Sequence, residues 1–168
     1  MNIFASHMTP QWSARWLDDK RANQMIRESG QLLSTTINLL EGTNNEKLYE
    51  TFGPNHPCRL WAGSSRSRFA WLLLHMAYLL GRARQDTHER AREVFAESDK
   101  WFGGNKWKLP AEQLLPFVNC AGNDGKGISF KGMKDPNLAY RLYLNERWKT
   151  DKVPPKWETG TKPNWAEV

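Results

Sequence analysis

Residues 12–40, WSARWLDDKRANQMIRESGQLLSTTINLL, decide the fold class. Within them Ala22, Met25, Ile26, Ser29, Leu32, Leu33, Thr36, Ile37 and Leu40 recur at spacings of three and four. An α-helix turns once every 3.6 residues, so these side chains share one face that is apolar enough to bury. The other side carries a polar stripe: Arg21, Gln24, Glu28, Gln31 and Thr35. The spacing predicts one helix from Trp12 to about Leu40, ending near Gly42, an ordinary helix-stop residue.

Around this element the chain reads as mainly helical. Ile3-Phe4-Ala5 is a short apolar start, expected as a strand or extended segment packed on the core. Residues 51–63, with Gly53-Pro54-Asn55-His56-Pro57, read as a loop. A second helix is expected from Ser65 to Arg84, with Phe69, Leu72, Leu73, Met76, Ala77 and Leu80 inward. Its second, more polar face carries Trp71, His75, Tyr78 and Arg82. A surface helix is expected over Thr87–Asp99. Residues 101–134 are glycine-rich and irregular, interrupted by a short helical piece over Ala111–Val118 bent at Pro116. Asp135-Pro136 then opens a last helix, an N-cap followed by proline at the first helical position, running to Lys149. The tail from Val153 to Val168 holds three prolines and is expected to be irregular, anchored by Trp157 and Trp165. The fold class is therefore all-α: one compact helical bundle over 1–168, with an extended start, long loops and an aromatic tail.

Composition bounds the function. No apolar run reaches the roughly 20 residues that span a bilayer. The start lacks the basic and apolar regions of a secretory signal. Cys58 and Cys120 form no metal-ligand spacing and read as reduced thiols of a cytoplasmic protein. The four histidines are scattered, so no metal site and no cofactor is expected. Gly122-Asn123-Asp124-Gly125-Lys126-Gly127 lacks the spacing of a phosphate-binding loop, and no nucleophile-elbow serine occurs. The formal net charge is +6 with pI about 9.4, and nine tryptophans lie mostly beside arginine or lysine. Basic groups hold phosphates while aromatic faces stack on bases, so a polyanionic partner is expected. A tryptophan beside a basic stem also packs cores, and some of the nine are expected to do that.

Among groups able to do chemistry, Glu28 stands out. It lies on the polar stripe one turn from both Gln24 and Gln31 and follows Arg27, a setting for a general acid/base or for stabilising a cation. An ion-paired surface glutamate would have the same sequence. His56, near Arg59 and Trp61, is a second candidate, with a simple turn histidine as its alternative.

Ordered motifs run through nearly the whole chain. They are Asn2-Ile3-Phe4, Asp19-Lys20, Met25-Ile26-x-Glu28-x-x-Gln31-Leu32-Leu33-Ser34-Thr35 and Asn55-His56-Pro57-x-x-x-Trp61. Ser64 with Trp71-Leu72, Ala139-Tyr140-Arg141-x-Tyr143 and Pro163-x-Trp165 follow. This set resembles a largely uncharacterised family of small phage proteins, departing from it at His7, Arg21 and Gln24, where relatives carry Asp, His and Lys. More distantly the layout is similar to the pyrimidine-dimer DNA glycosylases of the endonuclease V type. In that family an Arg-Glu pair on the first helix, matched here by Arg27-Glu28, includes the catalytic glutamate.

The resemblance implies a DNA glycosylase/lyase acting on damaged or modified pyrimidines in double-stranded DNA within a phage-infected bacterial cell. An N-terminal amine would attack C1′ and form a Schiff base, with the glutamate stabilising the cation. Such amines titrate near 7.7–8.0, so a useful fraction is nucleophilic at neutral pH. The family exposes threonine after loss of the initiator methionine. Asn2 is expected to block that loss here, which makes the Met1 amine the candidate nucleophile. The catalytic set is then Glu28, Met1, Arg27 and His56. DNA contacts are expected from Lys20, Arg21, Gln24, Gln31, Arg59, Trp61, Arg66, Arg68, Trp71, His75, Tyr140, Arg141, Lys149 and Trp157. The alternatives are a non-catalytic phage DNA-binding protein, an inhibitor of a host protein, and an enzyme of base hypermodification.

Overall fold

A computed structural model describes all 168 residues. The expected first helix forms as two, α1 (Pro10–Trp16) and α2 (Asp19–Glu41). Leu17 and Asp18 between them are extended, and both are buried. The Asp18 carboxylate turns inward to accept from Arg21 at 3.0 Å and from the Trp148 indole at 2.7 Å. Serving that buried pair takes Asp18 out of helical register, so a single helix over 12–40 is corrected to two. At its far end α2 stops on Gly42, left-handed at φ 69°, whose N–H donates to the Asn38 carbonyl.

The stretch 51–63, expected as loop, ends in a short helix, α3 (Pro57–Ala62). His56 caps it: its Nδ1 accepts from the Cys58 N–H at 3.2 Å, and Pro57 supplies a preset φ. Ser65 likewise caps α4 (Arg66–Arg82), accepting from the Arg68 N–H. α5 (Glu89–Asn105) runs past its expected end at Asp99 and through Gly103-Gly104. Trp101 and Phe102 close its last turns onto Phe69, with ring centroids 5.5 and 5.3 Å apart, and this packing outweighs the low helix propensity of glycine. No helix forms over Ala111–Val118. Pro110 and Pro116 remove donors there, and the guanidinium of Arg68 takes the carbonyls of Leu114 and Leu115. A two-stranded antiparallel hairpin follows, β1 (Gly122–Asn123) with β2 (Ile128–Ser129). Asp135 then caps α6 (Pro136–Thr150) by accepting from Asn137 and Leu138.

The architecture is mainly α. α2 lies at the centre, packed on α3, α4 and α5, and α1 crosses α4. Thirty-three buried apolar residues form one continuous core. The chain start is extended, as expected, and threads into it: Ile3, Phe4, Ala5 and Ser6 are all buried. Phe4 adopts φ 40°, rare for a residue with a side chain, while its ring stacks on Tyr143. The tail folds back irregularly. Trp165 stacks on Trp148 at 5.5 Å, and the Trp157 indole donates to the Trp16 carbonyl. No helix is long and apolar enough to cross a membrane.

Two polar groups inside the core set conditions on stability. Arg21 is sandwiched between Asp18 and Asp151. Burial alone would raise the Asp151 carboxyl, but the charge of Arg21 and the hydrogen bonds from Arg21 and Lys20 hold it below its ordinary value. His75 was expected on a polar face; it is instead fully buried, stacked on Trp71 at 5.1 Å, with neither ring nitrogen partnered. Burial, and then the charge of Arg82, bring its pKa down from 6.5 to about 3. The unfolded chain binds a proton on His75 below about pH 6.5 while the folded chain does not. Stability is therefore unaffected above that pH and falls as pH drops toward 3. At pH 5 the loss is about 2 kcal/mol. Denaturant titrations of His75→Leu and the parent chain at pH 8 and pH 5 check this: the variant should gain about 2 kcal/mol relative to the parent on acidification. Parallel pH profiles would mean that His75 is not the buried neutral group described.

Candidate functional site

The polar stripe of α2 is the bed of the site. Its side chains tie down residues 49–52 as an extended strap: Ser34 accepts from the Tyr49 N–H, and Asn38 donates to the Tyr49 carbonyl. Gln31 donates to the Glu50 carbonyl at 2.6 Å. The Thr35 hydroxyl both donates to the Phe52 carbonyl and accepts from the Phe52 N–H, at 3.2 and 3.1 Å. The backbone of Phe52 is thus fixed on both sides while its ring is 62% exposed. Gly53 follows at φ 59°, and a Cβ there would come within 2.6 Å of the Met1 methyl. This glycine lets the strap turn and leaves room for the chain start.

The chain start closes the other side. Asn2 is buried, its Oδ1 accepts from Ile3 and Phe4, and its Nδ2 donates to the Cys120 carbonyl. Its backbone N–H donates to Glu28 Oε2 at 2.7 Å. The other oxygen, Oε1, accepts from Gln24 Nε2 at 2.7 Å. An ionised carboxylate offers about four lone-pair directions, so two contacts orient Glu28 and leave it acceptor capacity toward the cleft. The cleft, about 500 Å³, is lined by Met1, Asn23, Gln24, Arg27, Glu28, Gln31 and Phe52. His56 stands next to it. Burial and then the positive charge of the chain start lower its pKa, against the opposing pull of Glu28.

Glu28, Met1, Arg27 and His56, expected as a catalytic set, are therefore brought together, with Gln24 and Gln31 beside them. The expected DNA contacts divide. Trp61, Trp71, His75 and Tyr140 are buried and have no face free for a base. The two indoles donate to the carbonyls of Pro116 and Met8, and the Tyr140 hydroxyl to that of Val118. Arg21 is consumed by its two carboxylates. Arg66 and Arg68 donate to carbonyls between Lys106 and Leu115, and Arg59 to that of Pro54. Arg141 donates to the Ser6 carbonyl and lies over Trp16 and Trp165. Trp157 is half-buried in the tail. Burial of Trp61, Trp71, His75, Tyr140 and Arg21 corrects the expectation that these five face a ligand, while the part-exposed Arg59, Arg66, Arg68, Arg141 and Trp157 hold loops and termini. Lys149 is at the surface but pairs with Glu146 and Glu167. Lys20 remains exposed beside Asp151.

Phe52 and Asn23 complete the cleft without having stood out in the sequence. Phe52 has no periodic neighbours, and only its place before a glycine in a polar stretch marks it. Beyond Asn23 lies a second cleft of about 550 Å³, floored by Ala22, Ile26 and Leu79 and edged by His88. Two of its charged groups are spent internally: Asp19 receives Thr159 and Glu158, and Arg82 donates to the carbonyls of Ala14 and Leu17. Compared with known protein families, curated proteins and solved structures, the chain matches none of them.

Gly53→Ala tests how the strap is built. The left-handed backbone should make the substitution cost about 1–2 kcal/mol in chemical unfolding, and Gly53→Asn clearly less, because asparagine tolerates this conformation. Equal losses in both variants would place the constraint in the contact with Met1 instead.

Proposed function

We propose that the protein binds DNA across the polar face of α2 and acts there as a glycosylase/lyase on damaged or modified pyrimidines. The observation that carries this reading is the 2.7 Å bond from the residue-2 nitrogen to Glu28, at the wall of an open cleft next to Arg27, His56 and an exposed aromatic ring. In the reaction, the amine at the chain start attacks C1′ of the target nucleotide. The base leaves with the glycosidic electron pair, and a protonated imine forms as the sugar ring opens. In this reading the Glu28 carboxylate stabilises that cation and takes the proton whose loss drives strand elimination. Phe52 offers a fixed ring for stacking on an unpaired base, a contact worth about 1–3 kcal/mol.

With Met1 in place, the nitrogen on Glu28 is an amide and the free amine belongs to the residue beyond it. Loss of Met1 would turn the same nitrogen into a primary amine. A non-catalytic DNA-binding role is the second reading, favoured by that amide character.

Borohydride trapping on abasic, UV-irradiated and base-modified duplexes tests the proposal, with intact mass measurement to show whether Met1 or Asn2 leads the chain. A covalent adduct is expected, lost on reductive methylation of the N-terminus and reduced about 10²–10⁴-fold in rate in Glu28→Gln. Phe52→Ala should weaken DNA binding about 10–100-fold and still give adduct at saturating DNA. No adduct on any of the three substrates sinks the enzymatic reading, and salt-sensitive binding without adduct establishes the second.

A further inference from the structure

The side chain of Asp151, at the end of α6, is 4% exposed and gathers four cations from three separate parts of the chain. Arg21 and Lys20, at the start of α2, reach one of its oxygens at 2.8 and 3.3 Å. Lys126, from the turn between β1 and β2, and Arg147, from α6, approach the other at 3.7 and 3.9 Å. The only other carboxylate in this network is Asp18, on Arg21. Four cations therefore share two carboxylates, which leaves a surplus of two positive charges. Arg21 already satisfies both carboxylates from inside. Lys20 and Lys126 approach Asp151 from the surface side, and they remain 62% and 38% exposed. The Arg147 Nε atom is buried without a partner.

We propose that Lys20, Lys126 and Arg147 form a phosphate clamp, with Asp151 as the internal strut that holds like charges together until a phosphate takes up the surplus. A strongly hydrated ammonium suits a phosphate oxygen as a point charge, and two of them mounted on separate segments define a seat between them. This clamp rests on the DNA-binding reading of the Glu28 cleft and gives it a direction. Lys20, Gln24 and Glu28 are spaced by four residues along one stripe of α2, so the clamp lies about 12 Å from Glu28 at 1.5 Å per residue. Along one strand of a duplex, at 3.4 Å per nucleotide, that is about three to four nucleotides. The strand enters over the clamp and passes Gln24 before reaching the cleft.

The test uses the full chain and two probes. Binding of a fluorescein-labelled duplex is followed by anisotropy across a sodium chloride series for the parent chain, Lys20→Ala, Lys126→Ala and Lys100→Ala. Lys100 is an exposed lysine on α5 without an ion pair. Each clamp substitution should lower the slope of log K against log salt by about 0.9, and Lys100→Ala should leave it unchanged. Inorganic pyrophosphate is titrated separately, read by NMR at the lysine Nζ positions, where Lys20 and Lys126 should shift and Lys100 should not. Thermal unfolding confirms that both clamp variants fold. Duplex binding with unaltered slopes in both variants, or with the same loss in Lys100→Ala, overturns the clamp and leaves the DNA reading intact. Pyrophosphate shifts in a chain that binds no duplex uphold the phosphate seat and overturn the DNA reading. Absence of both signals overturns both.

Discussion

A guanidinium taken out of water has to find its countercharge inside the protein, and Arg21 finds two. Asp18 meets it from the break between α1 and α2, and Asp151 from the end of α6. Those two carboxylates fix where three elements start or stop. Asp18 also receives the Trp148 indole, and Trp148 carries the stacked Trp165 and the edge of Trp157, so the tail hangs on the same network. Removing one member of such a buried pair leaves an unmatched charge, at a cost of about 3–5 kcal/mol. The break in the first helix is thus a requirement of charge burial, and it also turns α1 away so that α2 can present its polar stripe.

The same economy governs the cleft. The chain start is held by its own side chain, since Asn2 Oδ1 takes two backbone donors that a buried, non-helical segment would otherwise leave unpaired. Its backbone N–H is given to Glu28. Opposite, the strap carrying Phe52 is tied by α2 side chains in place of a neighbouring strand. One helix therefore anchors both walls, the strap and the chain start, and supplies the carboxylate between them. Helical geometry, more rigid than a loop, sets the distances among Gln24, Glu28 and Gln31.

What could be read from the sequence follows from which forces are local. The inward face of α2 from Ala22 to Ile37, its glycine stop, the Asp135-Pro136 cap and the mainly helical fold depend on periodicity and on capping groups a few residues apart, and they appear as expected, whereas Leu40, expected inward, is exposed in the last turn. The nearness of Glu28 and Arg27 to Gln24 and Gln31 was also legible through the stripe, whereas Met1 and His56 are brought to them by contacts of the chain start and of the turn at Gly53. The break at Asp18 was not legible, because the Trp148 indole that its carboxylate receives lies more than a hundred residues away. Neither was α3, whose cap is a histidine side chain in a stretch full of turn residues. The end of α5 was misplaced because Trp101 and Phe102 pack on Phe69 across the fold, which no local rule records. Phe52 escaped because its backbone is tied by Thr35 from another element.

The basic, tryptophan-rich composition, the strongest compositional signal, turns out to describe the interior more than the surface. Seven of the twelve arginines donate to main-chain carbonyls, among them Arg66, Arg68, Arg82, Arg90 and Arg92. A long, loop-rich chain leaves many carbonyls without a ladder, and a planar group with five donors satisfies several at once. Tryptophans lie beside these arginines because the apolar stems cover ring faces while the heads reach carbonyls, as Arg141 does between Trp16, Trp165 and Ser6. Charge available to a partner is therefore carried mainly by lysines, and exposed aromatic surface by a few rings such as Phe52 and Trp107. Arginine beside tryptophan in a sequence is ambiguous between a phosphate-and-base surface and a carbonyl-capping interior. A short polar strap tied to a helix by side chains, displaying one aromatic, is the narrower sign of a binding face.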